Sequence, residues 1–327
     1  MDLLEAIRQN LLSPAPLFFA LGVFAAVVKS DLKLPEALYS SLTIYLLAAI
    51  GFKGGAAIHE AGIGVVWLPV VVAAALSAVI PLWTYLALRR LGRFSTADAA
   101  SIAAHYGSVS AITFTVATGF LANIGVAHEG YASALLAIME SPAILVGVLL
   151  GKLATATKGA ELRASIREAT REALLGKSVV LLVGSLAIGY LCGGRGLEKV
   201  GGFFVAPFQG VLALFLLELG LVAGRRIRDL RRAGPFLVGF GIVVPVIHGA
   251  LGVAVGLAIG LSVGGATLLG TLTASASYIA APAAMRLAIP EANPTLSLAA
   301  SLAITFPFNV SLGIPLYYEM ALRWSTS

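Results

Sequence analysis

With 327 residues, 59% of them hydrophobic and only 12% charged, and a mean hydropathy of +0.95, the chain falls outside the ordinary water-soluble class, whose charged share is about 25%. Its length accommodates about ten helical spans of ~20 residues joined by short loops. The single cysteine, Cys192, excludes an internal disulfide and a Cys-based zinc site, and the net charge of +6 raises nucleic acid or anionic lipid as partners until the charges are placed.

The first ten residues hold Asp2, Glu5 and Arg8 and have no basic n-region, so they do not read as a cleaved signal peptide. Apolar runs bounded by charged or Gly/Pro clusters then predict spans at 14–28, 35–53, 63–88, 97–122, 130–151, 178–194, 203–224, 234–260, 263–285 and 295–322. Runs such as 65–88 are continuously apolar and do not alternate, which argues for helices over a β-barrel. Ten spans put both termini on one side. Seventeen of the 22 Lys and Arg residues then fall on the opposite face, so that face is expected to be cytoplasmic and the termini outside. The Arg-rich stretch 225–232 reads as part of this topology signal and not as a nucleic-acid site.

The one long hydrophilic segment, 154–177, reads as an amphipathic surface helix with Leu162, Ile166, Ala169 and Ala173 on one side. It is expected to link two halves, 1–153 and 178–327, on the cytoplasmic side, with docking of a regulatory partner as the other reading. Sequence echoes join the halves at a nearly constant offset. Ile50-Gly51 matches Leu219-Gly220 at 169, the segment Gly107–Ile112 matches Ala274–Ile279 at 167, and Leu136-Ala137-Ile138 matches Leu302-Ala303-Ile304 at 166. Five spans per unit is an odd number, so the second copy runs upside down. The predicted fold is an all-α polytopic membrane protein of two inverted five-helix repeats, the pattern of secondary transporters with a site at the midplane.

Spans four and nine carry polar breaks, Tyr106-Gly107-Ser108-Val109-Ser110 and Thr273-Ala274-Ser275-Ala276-Ser277. Backbone groups freed by a broken helix cost several kcal/mol each in lipid, so such breaks belong in a buried or wet cavity. Half-helix N-termini there suit a small anion, and unwound carbonyls with Ser/Thr hydroxyls suit Na⁺. Gly107, Ser108, Ser110, Ala274, Ser275 and Ser277 are therefore the candidate substrate-binding residues. Glu140, in the middle of span five and ahead of Pro142, is the candidate cation or proton coupling group, since a carboxylate there costs about 2.5–3.5 kcal/mol. Thr113, Thr305 and Asn309 are candidate neighbours of the cation. Glu218, His105 and His248 read as satisfied polar groups between helices, and Lys53 as a snorkelling residue near a span end.

At Gly54-Gly55-Ala56-Ala57-Ile58, Gly107-Ser108-Val109-Ser110, Glu140-Ser141-Pro142-Ala143, His248-Gly249 and above all the string Arg286–Pro294 (RLAIPEANP), the chain resembles the sodium-dependent bicarbonate transporter family. The resemblance covers essentially all ten spans. It implies a 5+5 inverted-repeat fold with a gate domain and a mobile core domain, a homotrimer, and elevator-type Na⁺/bicarbonate symport. The family's serine-rich segments correspond to Ser108, Ser110, Ser275 and Ser277, and its acidic position before Ile-Pro-Ala to Glu140. Two positions depart from the pattern: Glu140 and Tyr278 stand where the family has aspartates. Replacing the second carboxylate by the Tyr278 phenol removes a charge from the cation region and bears on coupling and substrate. The expected function is sodium-coupled symport of bicarbonate or a similar small anion, with no enzymatic activity. The alternative is a proton-coupled or uniport organic-acid permease. An intramembrane hydrolase built on His105 with Ser108 or Ser110 has only an i, i+3 spacing across a break to support it.

Overall fold

The computed structural model describes residues 3–154, 160–226 and 230–326, and among them every regular element is helical. A short helix α1 (Leu3–Leu11) that the hydropathy pattern does not announce precedes α2 (Pro14–Val27), and the two meet at 61°. Asn10 of α1 is buried and donates its side-chain amide to Val310 O at 2.6 Å, which pins the N-terminus to the far end of the chain. Next come α3 (Glu36–Ala61), α4 (Ile63–Arg90), the half-helices α5 (Thr96–Gly107) and α6 (Ala111–Asn123), then α7 (Ala132–Met139) and α8 (Pro142–Ala154). After α9 (Ala160–Leu175) the second half holds α10 (Lys177–Phe204), α11 (Phe208–Arg226), α12 (Leu230–Ala258), α13 (Val263–Ala274), α14 (Ala280–Ala288) and α15 (Pro294–Leu298). Two π-helical stretches, Ala299–Thr305 and Asn309–Gly313, flank the single turn α16 (Phe306–Phe308) and lead into α17 (Ile314–Trp324).

Among the described residues seven spans are long and apolar enough to cross a membrane: α3, α4, α7–α8, α10, α11, residues 234–258 of α12, and α15–α17; the bent α1–α2 pair makes eight. Apolar side chains on the outer faces of α4 (Val71, Val79, Leu82) and α12 (Val243, Ile247) are exposed, which suits lipid and not water. The chain is a multi-pass membrane protein. Neither half of α5/α6 or α13/α14 exceeds 13 residues, about 20 Å of helix against a ~30 Å hydrocarbon core.

The helices fall into two bundles. In one, α2 lies along α11 and α3 along α10, with α3 also touching α11. The contacts are glycine-mediated. A Cβ on Gly22 of α2 would collide with Leu217 O, one on Gly220 with Phe19 O, one on Gly55 with Leu186 O and one on Gly189 with Phe52 O. Backbones therefore touch directly, the small-residue packing that associates helices where lipid offers no hydrophobic drive. The second bundle gathers α4 to α8 and α12 to α17 around the half-helices, with α5 on α8 and α4, and α13 on α12 and α17.

Several sequence expectations are corrected at the edges. The predicted span 35–53 is a helix that runs on to Ala61, so Lys53 lies within α3 and not at its end; its ammonium sits 5.2 Å from the Phe208 ring centroid. The span 178–194 continues to Phe204, with Gly193 at φ 59° marking a kink. The hydrophilic segment is helical over 160–175 and packs on α8 and α14. Ala173 is buried, and its carbonyl accepts from Ser141 Oγ at 2.7 Å. Leu162 and Ala169, expected on the same face, lie outside the residues whose side chains are described.

Candidate functional site: two broken helices that cross

Helix α5 stops where Ser108 turns extended (φ −83°, ψ 169°), and α13 stops in the same way at Ser275 (φ −76°, ψ 165°). Each chain then restarts as a second half-helix. Ser110 is the N-cap of α6, its Oγ accepting from Thr113 N at 3.1 Å. Ser277 Oγ accepts from Ala281 N at 3.2 Å at the start of α14. Such caps satisfy one of the amides a helix start leaves open.

The two breaks are bonded to each other. Ser110 N donates to Ser275 Oγ at 3.0 Å, Ser110 Oγ donates to Tyr278 Oη at 3.0 Å, and Ser277 N donates to His105 O at 2.8 Å. Partners 165 to 172 residues apart in the chain thus meet within the second bundle, where Ser108, Ser110, Ser275 and Ser277 are all buried. Among the described residues no hydrogen bond reaches the N–H groups of Ala111 and Ile112 at the start of α6, or those of Tyr278, Ile279 and Ala280 at the start of α14. Among the described residues no hydrogen bond reaches the carbonyls of Gly107, Ser108 and Val109 either, so donors and acceptors both stand unpaired at the first break.

The remaining candidates divide between this crossing and its surroundings. Gly107 does not face the open amides: a Cβ there would collide with Pro81 of α4 and come within 2.9 Å of the Ala143 methyl, so its role is close packing. Ala274 offers its carbonyl to Asn309 Nδ2 at 2.9 Å, and Asn309 Oδ1 accepts from Tyr317 Oη at 2.8 Å. Thr305 Oγ1 donates to Gly241 O at 2.7 Å, so the Tyr106 hydroxyl 2.7 Å away is the donor in their pair. The side-chain oxygens of Thr305 and Asn309 are therefore engaged within the protein. Thr113 contributes its amide to the Ser110 cap.

Glu140 sits between α7 and α8, and it meets the crossing through its backbone: Ser108 Oγ donates to Glu140 O at 3.0 Å. Among the described residues no hydrogen bond joins its carboxylate to the crossing. The hydrolase geometry does not form, because Ser108 Oγ is bonded to Glu140 O and Ser110 Oγ to Tyr278 Oη. The expectation that the intramembrane histidines are satisfied fails in part. His105 Nε2, both His248 ring nitrogens and Glu218 Oε2 are buried without a hydrogen-bond partner among the described residues.

A family model described as the Na⁺-dependent bicarbonate transporter superfamily matches residues 14–322. The chain belongs to this superfamily. The match runs from α2 through α17 and so includes both broken helices, Glu140 and the RLAIPEANP string. No curated protein matches the chain. Membership places the chain among membrane transporters, with bicarbonate as the family's substrate and Na⁺ as the ion on which the family depends.

Proposed function

We propose that the protein is a sodium-coupled symporter of bicarbonate or a similarly small anion, working by an elevator motion of the second bundle against the first. The observation that carries the reading is the crossing itself. Two half-helix N-termini with open amides are locked to each other by the Ser110–Ser275 and Ser110–Tyr278 bonds, beside open carbonyls. Open amides and positive dipole ends hold an oxyanion, and carbonyl and hydroxyl oxygens hold Na⁺ next to it.

Coupling follows from charge. An anion alone must leave water for weak dipoles, whereas the ion pair is neutral and its assembly favours both partners. A neutral loaded carrier also crosses without opposing the membrane potential, which is worth about 2.3 kcal/mol per charge per 100 mV. Glu140 is the coupling carboxylate in this reading.

The inverted 5+5 architecture, with halves at 1–153 and 178–327 joined by 154–177, is supported by paired geometry. Gly22 meets the neighbourhood of Gly220 as Gly189 meets that of Gly51 and Gly55, at the same offsets as the sequence echoes. Counting each broken pair as one span brings the total to ten. The Lys/Arg distribution supports both termini outside and the central segment in the cytoplasm of an inner-membrane protein. The homotrimer follows from the family resemblance and is part of the same proposal, in which 154–177 links the halves, with docking of a regulatory partner as its other reading.

The test is labelled bicarbonate uptake into proteoliposomes with and without an inward Na⁺ gradient, repeated with Glu140→Gln. Sodium-driven uptake that Glu140→Gln abolishes in folded protein is expected. Uptake indifferent to Na⁺ and driven by pH would select the organic-acid permease instead.

A further inference from the structure

Between Glu36 at its start and Glu60 near its end, the membrane-spanning helix α3 carries one charged residue, Lys53, which the crossing does not use. Lys53 stands eight residues before the end of the helix, about 12 Å along its axis. A cation placed within a spanning helix is costly in hydrocarbon and is retained where it meets a partner or a wet cavity. Among the described residues neither an ion pair nor a hydrogen bond engages its ammonium. What places the group is the Phe208 ring of α11, whose centroid lies 5.2 Å from Nζ.

Lys53 and Phe208 both line a cavity of about 100 Å³, and the middle of α6 lines it too, with Phe114, Thr115 and Thr118. The first bundle thus supplies a charge and the second bundle part of the enclosure. The two threonine hydroxyls have already committed their protons: Thr115 Oγ1 donates to Ala111 O at 2.8 Å and Thr118 Oγ1 donates to Thr115 O at 2.8 Å. Among the described residues no aspartate or glutamate lines the cavity, so nothing in its walls balances the ammonium. A fixed positive charge beside a small space with aromatic walls asks for a counter-ion, and a volume of that size admits one chloride or one bicarbonate but not a sugar acid such as gluconate.

We propose that this cavity is a second anion site, separate from the crossing, which holds one small monovalent anion as the counter-ion of Lys53 and selects it by charge and size. Chloride and bicarbonate both qualify, since an ammonium is a point charge that donates to a halide as readily as to an oxygen. The walls come from both bundles, so the site sits on the surface along which the proposed elevator motion runs. The inference goes beyond the transport reading and does not need the crossing to carry bicarbonate; it needs Lys53 and the space beside it.

The experiment uses the full chain in lipid bilayers, labelled with ¹⁵N at the lysine side chains. Seven lysines are present, and the Lys53 Nζ resonance is assigned by its loss in Lys53→Arg, which keeps the charge. Potassium salts are used throughout, so that a crossing dependent on Na⁺ stays empty. At one fixed pH and ionic strength, with potassium gluconate as the balance, potassium chloride and potassium bicarbonate are each expected to move the Lys53 resonance saturably, and gluconate alone is expected to leave it in place. Thr118→Met, at a half-buried position, keeps the charge and adds bulk to the cavity wall; it is expected to remove the saturable shift with both salts. A response to gluconate equal to that to chloride, no response to either small anion, a response to only one of them, or a titration unchanged in Thr118→Met would overturn the site. Sodium-driven bicarbonate uptake that is absent while the resonance answers both anions removes the transport reading and keeps the site. Intact uptake with a silent resonance removes the site alone.

Discussion

The break between α5 and α6 and the break between α13 and α14 carry the same Ser-x-Ser pattern, but they share the work unequally. Ser110 receives its own helix cap from Thr113 N, gives its hydroxyl proton to Tyr278 and gives its amide to Ser275. Ser277 caps Ala281 and reaches back only through its amide, to His105 O. The first break is short, three residues between helices, and is pressed from behind by Pro81. The second is five residues long and is held by Asn309 on the Ala274 carbonyl. The first break is thus a node on which several bonds converge, and the second a segment attached to it.

That inequality can be broken by substitution. Ser110→Ala removes a cap and strands two buried groups, and is expected to cost about 2–4 kcal/mol of stability and nearly all uptake. Thermal unfolding in detergent together with proteoliposome flux would measure both. Gly107→Ala drives a methyl into Pro81 and should cost about 1–3 kcal/mol. The reverse change at the last residue of α13, Ala274→Gly, is expected to cost about 0.5–1 kcal/mol by the same assay. Ser277→Ala loses one cap, about 1 kcal/mol, with uptake reduced several-fold and not abolished. Tyr278→Phe, which keeps the ring against Phe306 and removes one acceptor, is expected to cost about 0.5–1.5 kcal/mol. Equal losses from Ser110→Ala and Ser277→Ala would abolish the distinction between node and attachment.

Much of this architecture is legible in the sequence because hydropathy is a local signal. The continuous apolar run of α4 and the Ser-x-Ser interruptions in otherwise apolar stretches need no tertiary knowledge to be read. The tail of α10 escaped because Arg195, Glu198 and Lys199 lower the hydropathy while leaving the helix intact, and α1 because it is short and charged. The roles of individual side chains are less legible, since they depend on partners far away in the chain. Nothing near Gly107 in sequence announces Pro81, and nothing near Ser110 announces Tyr278. The free amides of Ala111 and Ala280 were legible only as helix starts after a break; that they sit at one crossing is a fact of packing.

The central claim is that both half-helix starts hold one anion together with Na⁺, and the most direct measurement places a reporter at each. Ala111 and Ala280, the first residues of α6 and α14, are both partly exposed, and the exposed Cys192 can be replaced by serine to give a clean background. In that background Ala111→Cys and Ala280→Cys are titrated with a small membrane-permeant thiol reagent. Bicarbonate with Na⁺ is predicted to slow modification at both positions, and bicarbonate with K⁺ at neither. Protection at only one position, or protection that does not depend on Na⁺, would contradict the account.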